Sequence, residues 1–321
     1  MQRRCRLLLA AALTLFSFGA SAEEYPARPI RFMVGFPAGS SIDVVSRIVL
    51  DDIRARTNAT IVVENHAGAL GAPGVQLVEK ADPDGYVLMP SSSATHSSGP
   101  RLLRALENLD PVGKLSHIGR LVTFDVAVVT NASGAYPDVK TLKAAAAGKP
   151  DALAYGYGSG TGQVSAAVFS QASGINARAI PYRGQPAAVS DLIGARIDFV
   201  ASDLGAIMGF VQQGGLRPIA VMAEKRSSLL PDVPTTKELG IADAVITGWV
   251  GVDGPLNLPP AVAKWWAEQL QQSMASREVQ EKLRRIGMDA APLFGDAFVQ
   301  YVRTEADRWG VYVKKAGIQA E

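Results

Sequence analysis

The sequence predicts an α/β fold made of two Rossmann-like lobes around a central ligand cleft. Short apolar runs alternate with amphipathic stretches, which is the pattern of a parallel sheet whose strands are joined by crossover helices. This alternation occurs in two consecutive series, and a helical tail follows the second. The chain has 321 residues, of which 48% are apolar, and this is enough to bury the cores of two domains.

The first series begins with an apolar run at 30–36, which predicts a strand. The turn at 37–39 leads into Ser40 and Ser41, and either hydroxyl can cap the helix that follows. Apolar residues then recur at helical spacing as far as Ile53. The remaining predicted elements of this βαβαβ series are a strand at 60–64, a helix at 74–81, a strand at 86–89 and a polar loop at 90–96.

The second series starts near Phe124, and we expect the chain to return to the first lobe after it. The predicted strands lie at 125–130, 153–157, 177–182, 198–202, 216–223 and 245–252, and the predicted helices at 139–147, 163–172, 186–193 and 204–213. Helices at 260–276, 278–286 and 297–316 end the chain. We therefore assign residues 23–123 with 250–321 to lobe 1 and residues 124–249 to lobe 2.

The N-terminus has the pattern of a cleavable secretory signal peptide at 1–22. Three arginines precede an apolar run at 7–18, and the segment ends in small residues, Ala20-Ser21-Ala22. The run is shorter than the roughly 20 residues that a membrane span needs. We therefore expect a periplasmic protein without stable membrane insertion, and with Cys5 removed the mature chain has no thiol.

Charge and motifs exclude several classes of partner. Removal of the three signal-peptide arginines leaves 29 basic and 30 acidic residues, with no basic block that would bind nucleic acid. The glycines at 156–160 lack the third glycine of a dinucleotide fingerprint, because Gln163 occupies that position. We predict no cofactor and expect a monomer.

No catalytic or metal-binding constellation is recognisable in the sequence. The three histidines, His66, His96 and His117, do not have metal-ligand spacing, and no zinc-protease motif, paired cysteine or nucleophile elbow accompanies them. His66 and His117 are interpreted as turn and surface residues. We therefore expect that the protein is not an enzyme and holds no metal.

Four loops that follow predicted strands are rich in glycine and hydroxyl groups. They lie at 36–41, 91–96, 158–162 and 202–203. Ligands of open α/β sheets bind beyond the carboxyl ends of the strands, and helix N-termini there bind anions without a basic side chain. Taken singly, each loop is equally explained as a tight turn with a helix cap. Taken together, they predict a site for a small carboxylate.

Four side chains near these loops could take part in a ligand site, and three of them have an alternative role. The imidazole of His96 can donate to a ligand or to its own loop. Tyr182 can wall the pocket with its ring, and Arg183 can pair with a distal carboxylate or point into solvent. Asp203 can cap the next helix or accept from a ligand hydroxyl or ammonium group, and capping is the favoured role.

Six motifs in order along the chain resemble those of the solute-binding proteins of tripartite tricarboxylate transporters, the Bug proteins. They are Tyr25-Pro26-Ala27-Arg28-Pro29-Ile30, Phe36-Pro37-Ala38-Gly39 with Asp43, Val63-Glu64-Asn65, Asp84-Gly85-Tyr86, Pro181-Tyr182-Arg183-Gly184 and the segment from Leu230 to Thr235. The resemblance implies a type II periplasmic-binding fold that closes on its ligand. It also implies delivery to a permease built from one large and one small membrane subunit.

The resemblance further implies that the first loop and ordered waters hold one carboxylate near the hydroxyl groups of 159–161. The chain departs from the family at Gly39-Ser40, where the family usually has two glycines. The ligand-binding residues predicted from the loops and the resemblance are Phe36, Ala38, Ser40, Ser41, Ser92, Thr95, His96, Ser159, Thr161, Tyr182, Arg183 and Asp203.

The predicted function is capture of a small carboxylate, either a dicarboxylate or an aromatic carboxylate, and its delivery to a membrane transporter. An alternative is presentation of the bound ligand to a membrane signalling receptor, which needs the same closing cleft. A hydrolase or transferase is disfavoured because no base, nucleophile or metal set converges.

Overall fold

The protein is described from a computed structural model, which covers residues 25–149, 151–241 and 243–319. The predicted signal peptide at 1–22 lies outside these residues. The strands are β1 (Ile30–Val34), β2 (Ile61–Asn65), β3 (Val87–Ser92), β4 (Leu115–Asn131), β5 (Leu153–Tyr157), β6 (Ala177–Pro181), β7 (Phe199–Asp203), β8 (Leu216–Val221), β9 (Thr247–Pro255) and β10 (Met288–Phe294).

The longer helices follow the hydrophobic periodicity of the sequence. The helices are α1 (Ser41–Thr57), α2 (Ala72–Glu79), α3 (Gly99–Leu102), α4 (Arg104–Leu109), α5 (Val139–Ala146), α6 (Gly160–Ser173), α7 (Gln185–Ile193), α8 (Leu204–Gln212), α9 (Pro260–Ala275), α10 (Arg277–Arg285) and α11 (Asp296–Lys315). In α1, Val45, Val49 and Ile53 are buried, and the helix ends where Asn58 takes the left-handed conformation.

The sheet has the order β2-β1-β3-β9-β4-β7-β5-β6, and β10 and β8 also pair with β4. We call the half built from β1, β2, β3, β9, β10 and the first part of β4 lobe 1. The half built from β5 to β8 and the last part of β4 is lobe 2. Each lobe keeps the parallel pairs that the sequence predicts, namely β1 with β2 and β3, and β5 with β6 and β7.

Strand β4 belongs to both lobes. It pairs with β9 from Leu115 to Asp125 and with β7 and β8 from Val126 onwards. The sheet is therefore mixed, because β4 is antiparallel to β7, β8, β9 and β10. The predicted lobe boundaries at 123/124 and 249/250 fall inside β4 and β9.

The polar loop predicted at 90–96 is also replaced by regular structure. Strand β3 continues to Ser92, and residues Ser93–Ser98 form a π-helical segment. Ser92 caps it, because its side chain accepts from the backbone N–H of Thr95 while the Thr95 hydroxyl accepts from the N–H of Ser92. The polar composition misled the prediction, since every residue of the segment is buried.

The largest buried cluster spans both lobes, and smaller clusters lie under α7 and α8, under α2 and around Trp249. Trp249 packs edge-on against Phe298 and Tyr301. None of the described helices is both long and apolar enough to cross a membrane.

Trp266 in α9 provides a test of the core. Its side chain is fully buried, and its indole N–H donates to the hydroxyl of Tyr25 at 2.7 Å. Trp266→Ala is expected to lower the free energy of unfolding by about 3–5 kcal/mol, because it leaves a cavity and an unpaired hydroxyl. Urea denaturation measures the effect. Val311→Ala, at a side chain 54% exposed in α11, serves as the control and should change stability by less than about 0.5 kcal/mol.

Candidate functional site

Two connected cavities lie between the lobes. The inner cavity measures about 40 Å³, and its polar lining consists of Ser40, Ser41, Ser92, Ser93, Ser159, Thr161, Gln185 and Asp203. The outer cleft measures about 740 Å³ and is lined mainly by apolar and glycine residues. Phe36, Pro37 and Gly158 line both spaces, so they form the passage between them.

Four helices begin at the inner cavity. Ser40 caps α1, Ser159 caps α6, Gly184 precedes α7 and Asp203 caps α8. These four residues all line the cavity. Since the first N–H groups of a helix lack carbonyl partners and carry partial positive charge, the cavity attracts an anion. No basic side chain is among the described residues that line it.

The first loop is held in shape by Asp43. Its carboxylate accepts from the backbone N–H of Gly39 at 3.0 Å, from Arg47 at 3.0 Å and from Asn65 at 2.9 Å. Asn65 also donates to the backbone carbonyl of Phe36 at 3.0 Å. Burial acts to raise the pKa of Asp43, but these partners hold it below its usual value. The loop that lines the inner cavity is thus fixed from behind by an ionised carboxylate.

The loop before α6 is held by close contact with the loop before α7. A Cβ atom on Gly158 would lie 2.0 Å from the carbonyl carbon of Gly184, so only glycine fits there. The N–H of Gly158 donates to Gln185 Oε1 at 3.0 Å, and Gln185 Nε2 donates to the carbonyl of Ala201 at 3.3 Å. Gln185 thereby links the start of α7 to the loop before α6 and to β7.

Two side-chain hydrogen bonds join the lobes across the inner cavity. The hydroxyl of Ser41 in lobe 1 donates to Asp203 Oδ1 in lobe 2. The hydroxyls of Ser93 and Thr161 lie 3.2 Å apart, also across the lobes. With these contacts formed, the two lobes are closed on one another.

Asp203 is the one charged side chain among the described residues that line the inner cavity. Its Oδ1 caps α8 by accepting from the N–H of Ala206 at 3.0 Å, which confirms the capping role predicted for it. Burial raises its pKa, although the Ser41 hydroxyl and the N–H groups of Ala206 and Gly205 act in the opposite direction. A carboxylate thus stands beside a space that the helix N-termini make favourable for anions.

Tyr182 and Arg183 line the outer cleft. The hydroxyl of Tyr182 donates to Asp191 at 2.8 Å, and its pKa is raised to about 12 by burial and by this neighbouring carboxylate. The ring of Tyr182 is therefore what faces the cleft. Arg183 is exposed, and it is the one charged side chain among the described residues of this cleft.

Nine of the twelve predicted ligand-binding residues line the two cavities. They are Phe36, Ser40, Ser41, Ser92, Ser159, Thr161, Tyr182, Arg183 and Asp203. Ala38, Thr95 and His96 do not line either cavity. Ser93, Gln185, Asp43 and Asn65 were not identified from the sequence as site residues, although Asp43 and Asn65 belong to two of the six family-like motifs.

His96 and His117 lie on the side of the π-helical segment away from the inner cavity. Both rings contact Asp253 Oδ2, at 2.8 Å and 2.7 Å, and the side chain of His117 is only 3% exposed. The interpretation of His117 as a surface residue is therefore wrong. Burial lowers the pKa of His96; burial also acts to lower that of His117, but Asp253 raises it on balance. Burial acts to raise the pKa of Asp253, yet the two imidazoles hold it far below its usual value.

Comparison with known proteins places the fold among periplasmic binding proteins. Residues 45–318 match the sequence profile described as "Tripartite tricarboxylate transporter family receptor". The chain is 29% identical to Protein BugT of Bordetella pertussis over 92% of each sequence.

Two solved structures have the same architecture. The periplasmic binding protein BugD superposes with a TM-score of 0.85 at 27% identity, covering 92% of this chain and 100% of that one. An R. palustris protein solved with adipate has a TM-score of 0.89 at 24% identity, covering 93% and 100%. The predicted α/β periplasmic-binding fold is confirmed.

The Asp43 network provides a test of the site. Asp43→Asn removes one acceptor and the charge that pairs with Arg47, so we expect stability to fall by about 1–3 kcal/mol and the first loop to loosen. Since the folded pKa of Asp43 is lowered, its contribution is present above the unfolded pKa of about 3.9 and is lost as the pH falls through the folded value. Urea denaturation at neutral and acidic pH measures both effects.

Asp51→Asn is the matched control, because Asp51 lies in the same helix with a side chain 66% exposed. That substitution should change stability by less than about 0.5 kcal/mol. Equal effects of the two substitutions at neutral pH would contradict the role given to Asp43.

Proposed function

Because the chain belongs to the family of tripartite tricarboxylate transporter receptors, we propose that it captures a small carboxylate between its lobes in the periplasm and delivers it to a membrane permease. The family consists of solute-binding receptors rather than enzymes, so the expectation that the protein is not an enzyme is confirmed. The permease would be composed of one large and one small membrane subunit, and the two closing units would be lobe 1 and lobe 2 as defined from the sheet.

The main support for a carboxylate ligand is that the N-termini of α1, α6, α7 and α8 converge on the inner cavity. Their N-termini supply N–H donors, and the hydroxyls of Ser40, Ser159 and Thr161 add donors that can rotate toward a ligand. A single carboxylate with its two acceptor oxygens matches such a set. This recognition needs no ion pair, so the ligand can leave when the lobes open.

The outer cleft supports a ligand with an apolar body and a distal polar group. Phe36, Leu70 and Leu102 line it, and Arg183 is placed to pair with a second carboxylate. This combination fits a dicarboxylate, or an aromatic carboxylate whose ring packs on Tyr182. The adipate with which the R. palustris protein was solved is a dicarboxylate of this kind.

A thermal-shift and calorimetric panel tests the proposal. Adipate, malate, benzoate and hexanoate serve as carboxylates, and adipamide serves as the uncharged control. A bound carboxylate at about 100 times its dissociation constant should add about 2.7 kcal/mol of stability. The melting temperature would then rise by several degrees. If every carboxylate gave the same result as adipamide, the carboxylate class would be wrong.

Arg183→Gln distinguishes dicarboxylates from monocarboxylates. If Arg183 pairs with the distal carboxylate, the variant should bind a dicarboxylate at most about fivefold more weakly and hexanoate equally well, since an exposed pair contributes up to about 1 kcal/mol. Arg178→Gln is the control, because Arg178 is exposed on the same strand region and lines neither cavity. Equal losses for both ligands would place Arg183 outside the distal subsite.

We predict that binding of a carboxylate is coupled to proton uptake by Asp203. A carboxylate in the inner cavity repels the Asp203 carboxylate and raises its pKa further, so affinity should increase as the pH is lowered toward that pKa. Asp203→Asn keeps a helix cap and removes the charge, so it should bind about tenfold more tightly at neutral pH and lose the pH dependence. Calorimetry in two buffers of different ionisation enthalpy counts the protons, and no uptake by the wild type would contradict this coupling.

A further inference from the structure

A second cluster of functional groups lies in lobe 1, outside the cleft. His96 from the π-helical segment, His117 from β4 and Asp253 from β9 meet in the interior. The Nε2 atom of His96 and the Nδ1 atom of His117 lie 2.8 Å and 2.7 Å from Asp253 Oδ2. These three ligand atoms all lie within 4.8 Å of one another.

The outer nitrogen of each imidazole already has a partner. His117 Nε2 lies 3.1 Å from the backbone carbonyl of Val112, and a carbonyl only accepts, so this nitrogen carries a hydrogen. His96 Nδ1 lies 2.8 Å from the hydroxyl of Thr95. Metal-binding histidines have this arrangement, in which the outer nitrogen is fixed by a carbonyl or hydroxyl and the inner nitrogen faces the ion.

A positive charge is required between His117 and Asp253. With the hydrogen of neutral His117 on Nε2, the lone pair on Nδ1 points at a carboxylate oxygen only 2.7 Å away, which is repulsive. Either a proton or a metal ion supplies the missing charge. In addition, both imidazoles contact Asp253 Oδ2, whereas the other oxygen, Oδ1, is buried and has no hydrogen-bond partner. Hydrogen bonding within the cluster therefore leaves one carboxylate oxygen without a donor.

We propose that His96, His117 and Asp253 bind one divalent transition-metal ion of the zinc type. Two imidazole nitrogens and one carboxylate oxygen are a preferred ligand set for such ions, whereas Mg²⁺ and Ca²⁺ favour oxygen ligands. Tetrahedral coordination separates ligand atoms by about 3.3 Å, so the cluster must open by about half an ångström. Asp253 Oδ1 can then coordinate as well, and the ion displaces the proton from His117 into the solvent. The hydrogen on His96 Nε2 moves to Nδ1, where the Thr95 hydroxyl can accept it, so that Nε2 is free to bind the ion.

The cluster has both an apolar shell and a route to solvent. The rings of Trp249 and Phe298 lie 5.9 Å and 6.0 Å from those of His96 and His117. His96 also lines a cavity of about 390 Å³ that shares no lining residue with the inner cavity or the outer cleft. Three carboxylates, Glu107, Asp110 and Asp307, and two guanidinium groups, Arg101 and Arg303, line the same cavity. The carboxylates outnumber the guanidinium groups by one, so the charged lining of this cavity is net negative.

The site was not recognisable in the sequence because its members are far apart in the chain. Asp253 is 157 positions from His96 and 136 from His117. The fold brings them together, since β4 and β9 pair in this region and the π-helical segment follows β3 on the other side of β9. A bound ion would tie these elements to the segment that supplies Ser92 and Ser93 to the inner cavity.

Metal titration tests the proposal. The protein is made without a histidine tag, stripped with a chelator and titrated with Co²⁺, whose visible absorption is strong in tetrahedral sites. We expect one Co²⁺ per chain, displaced by one equivalent of Zn²⁺, with a higher melting temperature in the presence of Zn²⁺. His117→Gln should weaken binding by more than about tenfold. His66→Gln should bind as the wild type does, because His66 pairs with Glu64 outside the cluster.

A spectroscopic measurement on the wild type keeps the test independent of whether the variants fold. The chain contains three histidines, so imidazole nitrogen resonances can be assigned by NMR. Zinc should shift the resonances of His96 and His117 and leave those of His66 unchanged. The proposal is overturned if the wild type binds no stoichiometric metal and both buried rings keep their resonances in excess zinc, which would identify a purely hydrogen-bonded cluster.

Discussion

The first backbone N–H groups of α1, α6, α7 and α8 have no carbonyl partners within their own helices, and the two lobes bring them to one small cavity. The rest of the site depends on this arrangement. Glycine at 158 permits the contact with the loop before α7, and Asp43 fixes the loop before α1. The resulting cavity is favourable for an anion although no basic side chain is among its described lining residues.

Strand β4 runs through both of the lobes that form the inner cavity. Its first part pairs with β9 in lobe 1, and its last part pairs with β7 and β8 in lobe 2. The lobes therefore share a continuous hydrogen-bonded strand rather than a flexible linker. Movement between them requires a change near Asp125, where the pairing partners of β4 change, while Ser41 and Asp203 join the lobes at the cleft.

The elements with strong periodicity were predictable from the sequence, and those defined by long-range pairing were not. The spacing of apolar residues from Ile42 to Ile53 predicts α1 by itself. The sequence leaves the cap open between Ser40 and Ser41, and the structure assigns it to Ser40. The length of β4 and the existence of β10 depend on partners far along the chain, so local patterns could not predict them. The same holds for the site: the hydroxyl-rich loop before α6 was recognisable, but Gln185 acts through contacts with Gly158 and Ala201 that no local motif records.

The segment after β3 shows why composition alone could not distinguish residues that line the inner cavity from residues that pack behind it. Ser92, Thr95 and His96 are all polar and lie within five consecutive positions, and the sequence offers no basis for assigning them to different sides. The wide π-helical turn directs Ser92 and Ser93 to the inner cavity and places His96 against Asp253. Thr95 lies between the two, bonded to both Ser92 and His96. The Thr95 hydroxyl is therefore the group that connects Ser92 at the inner cavity with His96 at Asp253.

Ser40 stands where the resemblance leads us to expect a second glycine after Gly39, and the backbone explains why the loop tolerates a side chain there. Gly39 has a φ of 79°, a conformation that favours glycine, whereas Ser40 has a φ of −66° in extended backbone open to any residue. The hydroxyl of Ser40 accepts from the N–H of Asp43, which leaves its own hydrogen free to donate into the cavity. Ser40 thus places an added donor at the inner cavity without straining the loop, and its side chain occupies space at the wall of that cavity.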